Sequence, residues 1–283
     1  MENIKAMEKM KEYMELRGLA PSTQKNYLIY VNAFAKARKK MLKDITTNDV
    51  QKYLYSLVLR KLSGSYLISV YSAIKFFYHY VFNREYFMSS IPISKKRTSL
   101  PLVLSTDEVR NITSASSNLK HKAMIATIYS SGIRVSEAAK LRIEDIDSKN
   151  MRIFIRKGKN QKDRYTILSK NALNILRKYY RKYKPKEWLF EGRNKIDPIS
   201  SKSIQAAFKK ALGQSQVTKD ATVHTLRHSF ATHLIDSGTH LLVLKDLLGH
   251  RSFSTTSIYL HISITRFSRI KSPADMRGDF FDD

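Results

Sequence analysis

The chain has 283 residues, of which 51 are lysine or arginine and 24 are aspartate or glutamate, giving a formal net charge of +27. A charge of this size attracts polyanions, so nucleic acid is the first class of partner to consider. The absence of cysteine excludes disulfide bonds and thiolate zinc sites. We find no signal peptide and no apolar run of about 18 residues, and we therefore expect a cytoplasmic protein without a membrane span.

The first 90 residues have the pattern of a helical domain. Helices are predicted over residues 2–17, from a Ser22 cap to Arg38, from a Thr46 or Thr47 cap to about residue 60, and after a break at residues 63–65 to about residue 82. Two prolines, several serines and a basic triplet follow, a composition typical of an exposed linker. We therefore divide the chain into a helical domain at residues 1–90, a linker at 91–104 and a second domain at 105–283.

The second domain is predicted to be mainly helical with a small β-sheet. A capping box at Ser105 to Glu108 begins it, and an apolar helix over 119–131 ends at Gly132. Residues 151–156 and 164–168 alternate between apolar and polar and therefore predict a β-hairpin. The remaining helices are predicted at 170–182, 200–212, 224–236 and 241–248, the last ending at Gly249.

The segment HTLRHSFATHL, residues 224–234, contains three of the eight histidines. His224 and His228 are four residues apart, as in zinc-binding helices, but the glutamate of that motif is absent and Arg227 would repel a cation. We therefore predict no metal site. For His228 and His233, the prediction is a core histidine bonded to backbone carbonyls. His224 and Arg227 lie at a helix start, where free N–H groups favour an anion such as phosphate.

Further residues could bind an anion at exposed positions. Arg134 lies in a loop that leads into a helix, and Glu137 could orient it or be a simple helix-start carboxylate. The other candidates are the basic hairpin KGKNQKDR, His250 after a glycine helix stop, and Tyr259. Taken singly, each has an ordinary interpretation as a solvated charge, a cap or one of 16 tyrosines.

Together these motifs resemble a known family. GIRVSE, the hairpin lysine, HTLRHSFATHL and LLGHRSFSTTSIYLH follow the order and spacing of the tyrosine site-specific recombinases, or phage-integrase family, and are most similar to its Xer branch. The resemblance implies a helical, SAM-like core-binding domain that clamps DNA and a catalytic domain with a C-terminal oligomerisation segment. It also implies transesterification of a DNA phosphodiester through a 3′-phosphotyrosine, without a metal ion, ATP or another cofactor.

Matched position by position, the resemblance implies roles for individual residues. Arg134, Arg227 and His250 would bind the scissile phosphate, His224 would be a general base or positioning group, and Tyr259 would be the nucleophile. Lys159 would be the general acid, with Lys157 as the alternative, because Asn160 replaces the second glycine of the family hairpin. We predict DNA contacts for Lys157, Lys162 and Arg164.

The expected partners are double-stranded DNA and further copies of this chain, which would form a tetramer in the synaptic complex. Whether an accessory motor protein also takes part stays open. The expected role is the resolution of chromosome dimers at a dif-like site. The alternatives are a mobile-element or integron-type integrase, which the segment KSPAD favours, and a DNA-binding protein that has lost catalysis. Finally, we predict that Tyr259 is withdrawn from the active site in the absence of DNA, which would prevent stray cleavage.

Overall fold

A computed structural model of the chain describes residues 2–38, 40–85, 87–92, 100–156, 163–250 and 252–261. The chain divides into two compact units, residues 1–99 and 100–283. Both are mainly helical, and the second contains a small sheet, as the sequence predicts. Among the described residues, no helix has the length and apolar character needed to cross a membrane.

The described residues of the first unit contain four α-helices, α1 (Glu2–Leu16), α2 (Pro21–Arg38), α3 (Thr47–Leu59) and α4 (Gly64–Phe82), and a 3₁₀ turn at Leu42–Asp44. Thr46 caps α3 in a capping box with Asp49, so of the two predicted caps Thr46 is the correct one. Helix α2 begins at Pro21, so the prediction of Ser22 as its N-cap is wrong and Ser22 lies inside the first turn. The apolar faces of all four helices close a shared core that includes Met10, Phe34 and Phe77.

The second unit contains eight helices within its described residues. They are α5 (Thr106–Ala115), α6 (Leu119–Ser131), α7 (Val135–Ala139), α8 (Lys170–Tyr183), α9 (Ser201–Gln214), α10 (Val223–Asp236), α11 (Leu241–Leu248) and α12 (Phe253–Ser257). Short 3₁₀ turns lie at Ile143–Asp145 and Ile258–His261. The predicted capping box at Ser105 and the predicted helix stops at Gly132 and Gly249 are confirmed.

The sheet is antiparallel, with the strand order β1 (Ile146–Asp147), β2 (Arg152–Ile155) and β3 (Arg164–Ile167). Strands β2 and β3 are the predicted hairpin, and β1 adds a third strand that the sequence pattern did not predict. The pairing of Ile155 with Arg164 places Arg164 at the end of the ladder nearest the hairpin tip. Lys157, Lys159 and Lys162 lie outside the described residues.

A close approach between α6 and α10 brings two parts of the candidate site together. Gly132 ends α6 with φ +63°, in the left-handed region, and the ring of Phe230 from α10 lies against it. A β-carbon at position 132 would lie 2.2 Å from that ring. Glycine at this position therefore lets the turn that leads to Arg134 pack directly on α10.

Candidate active site

Arg227 is the most deeply buried cation of the described site, with 2% of its surface exposed. It extends from α10 between two turns: Nη1 donates to the carbonyl oxygen of Gly132 at 2.6 Å, and Nη2 donates to that of Leu248 at 2.7 Å. The same Nη2 lies 3.1 Å from Nε2 of His250. Arg227 thus links the start of α7, where Arg134 lies, to the end of α11, where His250 lies.

Arg134 is the N-cap residue of α7 and shares a carboxylate with its own helix. Oε2 of Glu137 accepts the backbone N–H of Arg134 at 2.8 Å, and Oε1 accepts Nη1 of the same arginine at 2.8 Å. Nη2 of Arg134 reaches the carbonyl oxygen of Gly249 at 3.3 Å. Glu137 therefore has both functions weighed from the sequence, because it caps the helix and orients the arginine.

Arg164, for which we predict a DNA contact, bonds to protein groups in the structure. Its Nη1 and Nη2 donate to the two carboxylate oxygens of Glu137 at 3.0 and 2.7 Å, and its Nε donates to the carbonyl oxygen of Leu247 at 3.0 Å. Its side chain is 10% exposed. Since all three nitrogens of the guanidinium bond to protein groups, Arg164 supports the site from within.

The C-terminal end of α11 is the point on which three arginines converge. The consecutive carbonyl oxygens of Leu247, Leu248 and Gly249 accept N–H groups from Arg164, Arg227 and Arg134, respectively. The last carbonyls of a helix have no partner within the helix and carry partial negative charge, so cations are favoured there. The end of α11 therefore gathers three guanidiniums from three different elements, beside His250.

Tyr259 lies inside this site. It is 2% exposed, on the 3₁₀ turn that follows α12, and packs with Phe230, Leu244 and Leu248. Its hydroxyl lies 3.0 Å from Nδ1 of His228, and its ring is nearly parallel to that of His250, with centroids 6.4 Å apart. In this structure Tyr259 is therefore docked in the site, and its withdrawal in the absence of DNA stays a prediction.

The histidines of the site are held as weak bases. Burial, followed by the charges of Arg227 and Arg134, lowers the pKa of His250 to about 3. Burial, followed by His224 and Arg227, lowers the pKa of His228 to about 4. The pKa of His224 is lowered by burial and by Arg227 and Arg134. These rings are neutral near pH 7 and can accept a proton or a hydrogen bond.

The charges of the site are unbalanced toward the positive. Among the residues described above, the site has three guanidinium groups, those of Arg134, Arg164 and Arg227, and one carboxylate, that of Glu137. Burial would raise the pKa of this carboxyl group, but the hydrogen bonds and charges of Arg164 and then Arg134 lower it to about 2. Burial lowers the pKa of Arg227 to about 9, which still leaves it a cation at neutral pH. The excess positive charge favours an anion.

The geometry suits a phosphodiester better than a metal ion. Across the described residues, no cluster of three or more histidine, aspartate or glutamate side chains could hold a metal. A guanidinium has five N–H donors, and the described side-chain bonds of Arg134 occupy two nitrogens, so donors are left for phosphate oxygens. A tyrosine hydroxyl beside such a cationic group is placed for nucleophilic attack on phosphorus.

Two contacts of the site were missed from the sequence. His228 was predicted to bond to a backbone carbonyl, yet its Nδ1 faces the Tyr259 hydroxyl. Thr256 is buried, and its Oγ1 lies 2.9 Å from Nδ1 of His250. Thr256 is six residues from His250 and His228 is 31 residues from Tyr259, and no local sequence pattern marks either contact.

Comparisons with known proteins agree with this description. Residues 103–266 match the Phage integrase family, and residues 6–87 match the N-terminal SAM-like domain of phage integrases. A Sinorhizobium fredii protein, y4qK, is 37% identical over 95% of this chain and 88% of its own length. The tyrosine recombinase XerA of Pyrococcus horikoshii is 31% identical over 92% of this chain and 90% of its own length.

The fold is also found in a solved structure, a lambda integrase tetramer bound to a Holliday junction. That structure superposes with a TM-score of 0.73 at 19% identity and covers 90% of this chain and 76% of its own. The family match covers more than half of the chain, and it agrees with the site in which Tyr259 lies beside Arg134, Arg227 and His250. The chain belongs to the phage integrase family and is a tyrosine recombinase, an enzyme that cuts and rejoins DNA.

Proposed function

We propose that this chain is a site-specific recombinase whose nucleophile is Tyr259, and that cleavage gives a 3′-phosphotyrosine and a free 5′-hydroxyl. The observation that carries the proposal is the burial of the Tyr259 hydroxyl beside the cationic Arg134 and Arg227 and the neutral His250. Covalent catalysis divides one displacement into two easier steps, and the ester retains the energy needed for rejoining. The reaction then requires neither ATP nor a metal ion.

The roles of the phosphate ligands follow from their donors. Arg134 and Arg227 would each donate to the non-bridging oxygens, where negative charge builds during the transfer. In the structure Nε2 of His250 accepts an N–H of Arg227, and His250 would donate to the same phosphate from Nε2 once this N–H turns to the phosphate, while Thr256 holds its Nδ1. His224, on the first turn of α10, would position the phosphate or help to remove the proton of Tyr259.

The leaving 5′-oxygen needs a proton, and we assign this role to Lys159 of the β2–β3 hairpin, with Lys157 as the alternative. Arg164 begins β3 and is fixed to Glu137, so the base of this hairpin is tied to the helix that presents Arg134. Lys157 and Lys162 would then contact DNA near the cleavage site, because a basic hairpin favours phosphates.

For the biological role, we favour the resolution of chromosome dimers at a dif-like site in the cytoplasm. The similarity to XerA over nearly the whole chain supports this role. A synaptic tetramer is supported by the shared fold with lambda integrase, which has been solved as a tetramer on a Holliday junction. That same fold likeness favours integration of a mobile element as the second candidate. Dimer resolution and mobile-element integration differ in whether both recombining sites lie on one chromosome.

Covalent capture tests the chemistry. The protein is incubated with nicked duplex fragments of its own genome in the presence of EDTA, adducts are isolated in denaturant, and the attached DNA ends are sequenced. We expect adducts at one sequence, none with Tyr259→Phe, and wild-type yield with Tyr129→Phe, a second tyrosine that bonds to a histidine of α10. Salt-sensitive DNA binding without any adduct would instead indicate a DNA-binding protein that has lost catalysis. Adducts that form only after Mg²⁺ is added would contradict metal independence.

A further inference from the structure

Helix α10 carries two histidines that each meet a tyrosine hydroxyl. Nδ1 of His228 lies 3.0 Å from the hydroxyl of Tyr259, and Nδ1 of His233 lies 2.9 Å from that of Tyr129. The second pair lies against the N-terminal part of the unit, since the backbone of Leu104 also bonds to His233. The first pair involves the hydroxyl of the proposed nucleophile, Tyr259. The second pair has the same kind of hydrogen bond at a tyrosine away from the reacting atom.

We infer that His228 is a further catalytic residue, which accepts the proton of Tyr259 as the phenolic oxygen attacks the scissile phosphorus. The inference rests on the proposed function, because it assigns a role within that reaction. In the neutral tautomer with its proton on Nε2, His228 accepts the Tyr259 O–H at Nδ1. Among the described hydrogen bonds of the Tyr259 hydroxyl, this is the contact that can receive its proton.

The proton balance of the step is complete. The O–H bond of Tyr259 breaks and its proton moves to Nδ1 of His228, while the phenolic oxygen forms a bond to phosphorus. The bond from phosphorus to the 5′-oxygen then breaks, and that oxygen takes a proton from the general acid proposed above. Rejoining reverses both transfers, so the free 5′-hydroxyl attacks and His228 returns its proton to the tyrosine oxygen.

The titratable and charged groups around His228 determine when it can accept a proton. His224 and Arg227 of the same helix, Tyr259 of the 3₁₀ turn and His250 after α11 face it. Burial, His224 and Arg227 keep its pKa near 4, and burial raises the pKa of Tyr259 above its ordinary value, so the proton stays on the tyrosine. A bound phosphate adds a negative charge beside Arg227, which favours protonated His228. The transfer therefore becomes easier once DNA is bound.

His224 fits this role less well than His228. It is more exposed than His228, and its ring meets that of His228 edge to face at 4.6 Å, with no described bond to the Tyr259 hydroxyl. It is therefore better placed to hold the imidazole ring of His228, or a phosphate at the start of α10, than to take the proton directly.

The test compares two asparagine variants on one helix. In His228→Asn, the amide oxygen replaces Nδ1 as the hydrogen-bond acceptor but takes no proton. His233→Asn makes the same change at the other pair and serves as the matched control. Adduct formation is measured in a single turnover on a saturating nicked substrate, so that DNA affinity does not enter the rate. We expect His228→Asn to be about a hundredfold slower near neutral pH and His233→Asn to be close to wild type.

A second variant covers the case in which asparagine disturbs the fold. His228→Ala opens space for a small base, and we expect added imidazole to restore much of its rate, following the concentration of the neutral form. Wild-type protein and His233→Ala should not respond. Cleavage by His228→Asn within about threefold of wild type, or His228→Ala that imidazole does not restore, would overturn the inference and leave His228 as a holding group. No adduct with wild-type protein would instead overturn the proposed function itself.

Discussion

Arg164 binds both carboxylate oxygens of Glu137, at 3.0 and 2.7 Å, across 27 residues of sequence. The same carboxylate holds the backbone and side chain of Arg134, and Arg164 in turn donates to Leu247 at the end of α11. One carboxylate and one guanidinium therefore connect the hairpin, the helix that presents Arg134, and the turn that presents His250. The positions of Arg134 and of the turn before His250 depend on this pair.

Replacing Arg164 tests whether it supports the site rather than DNA. We expect Arg164→Gln to slow single-turnover cleavage by roughly 10- to 100-fold, because small displacements of the phosphate ligands are costly. Arg164→Lys should be nearly as slow, since lysine keeps the charge but cannot bind both oxygens of Glu137. Arg177→Gln, at an exposed arginine of α8, is the control and should cleave normally.

The salt dependence of DNA binding distinguishes the two roles of Arg164. If its guanidinium bonds only to protein groups, Arg164→Gln leaves the slope of log affinity against log salt unchanged. A lost phosphate contact would instead reduce that slope by about one. The slope is measured by titrating labelled duplex at several salt concentrations, and a reduced slope would restore the original assignment of Arg164 to DNA.

Removing the carboxylate should destabilise the second unit. Glu137 has 6% of its side chain exposed and bonds to two arginines, so Glu137→Ala leaves two cations without their counter-charge. We expect a loss of about 3–5 kcal/mol in the free energy of unfolding. Glu144, 61% exposed in its pairs with Arg156 and Arg142, is the control, and Glu144→Ala should cost less than about 1 kcal/mol. Urea denaturation followed by circular dichroism measures both, and equal losses would contradict this account.

The glycine that lets α6 approach α10 should tolerate no side chain. Gly132→Ala combines a left-handed backbone, which costs about 1–2 kcal/mol, with a clash against Phe230 that adds about 1–3 kcal/mol. Gly18→Ala is the control, because Gly18 has almost the same φ, +62°, with no atom within 4 Å of the added carbon. Thermal unfolding monitored separately for each unit checks the difference. A similar loss at both positions would show that backbone strain alone matters.

Acid should weaken the second unit as its buried histidines take up protons. The pKa values of His228 and His250, about 4 and 3 in the folded chain, lie below the ordinary value of 6.5. Below about pH 6.5 the unfolded chain therefore binds more protons than the folded one, and stability that is complete above this pH falls as the pH drops toward 4. Urea midpoints between about pH 7.5 and 4.5 measure the slope. A double variant, His228→Asn with His250→Asn, should show a shallower loss, and an unchanged slope would contradict this origin.

Much of the fold could be predicted from short stretches of sequence. The capping boxes at Thr46 and Ser105 and the glycine stops at Gly132 and Gly249 mark helix ends through groups within a few residues of one another. Strand β1 was missed because two residues are too few to show an alternating pattern. Helix α2 begins at Pro21, which suits the first turn of a helix because it lacks an N–H group.

By itself, the sequence determined the two helical domains, the family, and the residue types that a phosphate site needs. The tertiary structure decided which of those residues meet. It placed Arg164 on Glu137 and Leu247, and it placed the Tyr259 hydroxyl on His228. Helix ends depend on hydrogen bonds between near neighbours, which a sequence displays directly. The partners of Arg164 and Tyr259 are 27 to 83 residues away, so they depend on how α7, α10 and α11 pack around one core.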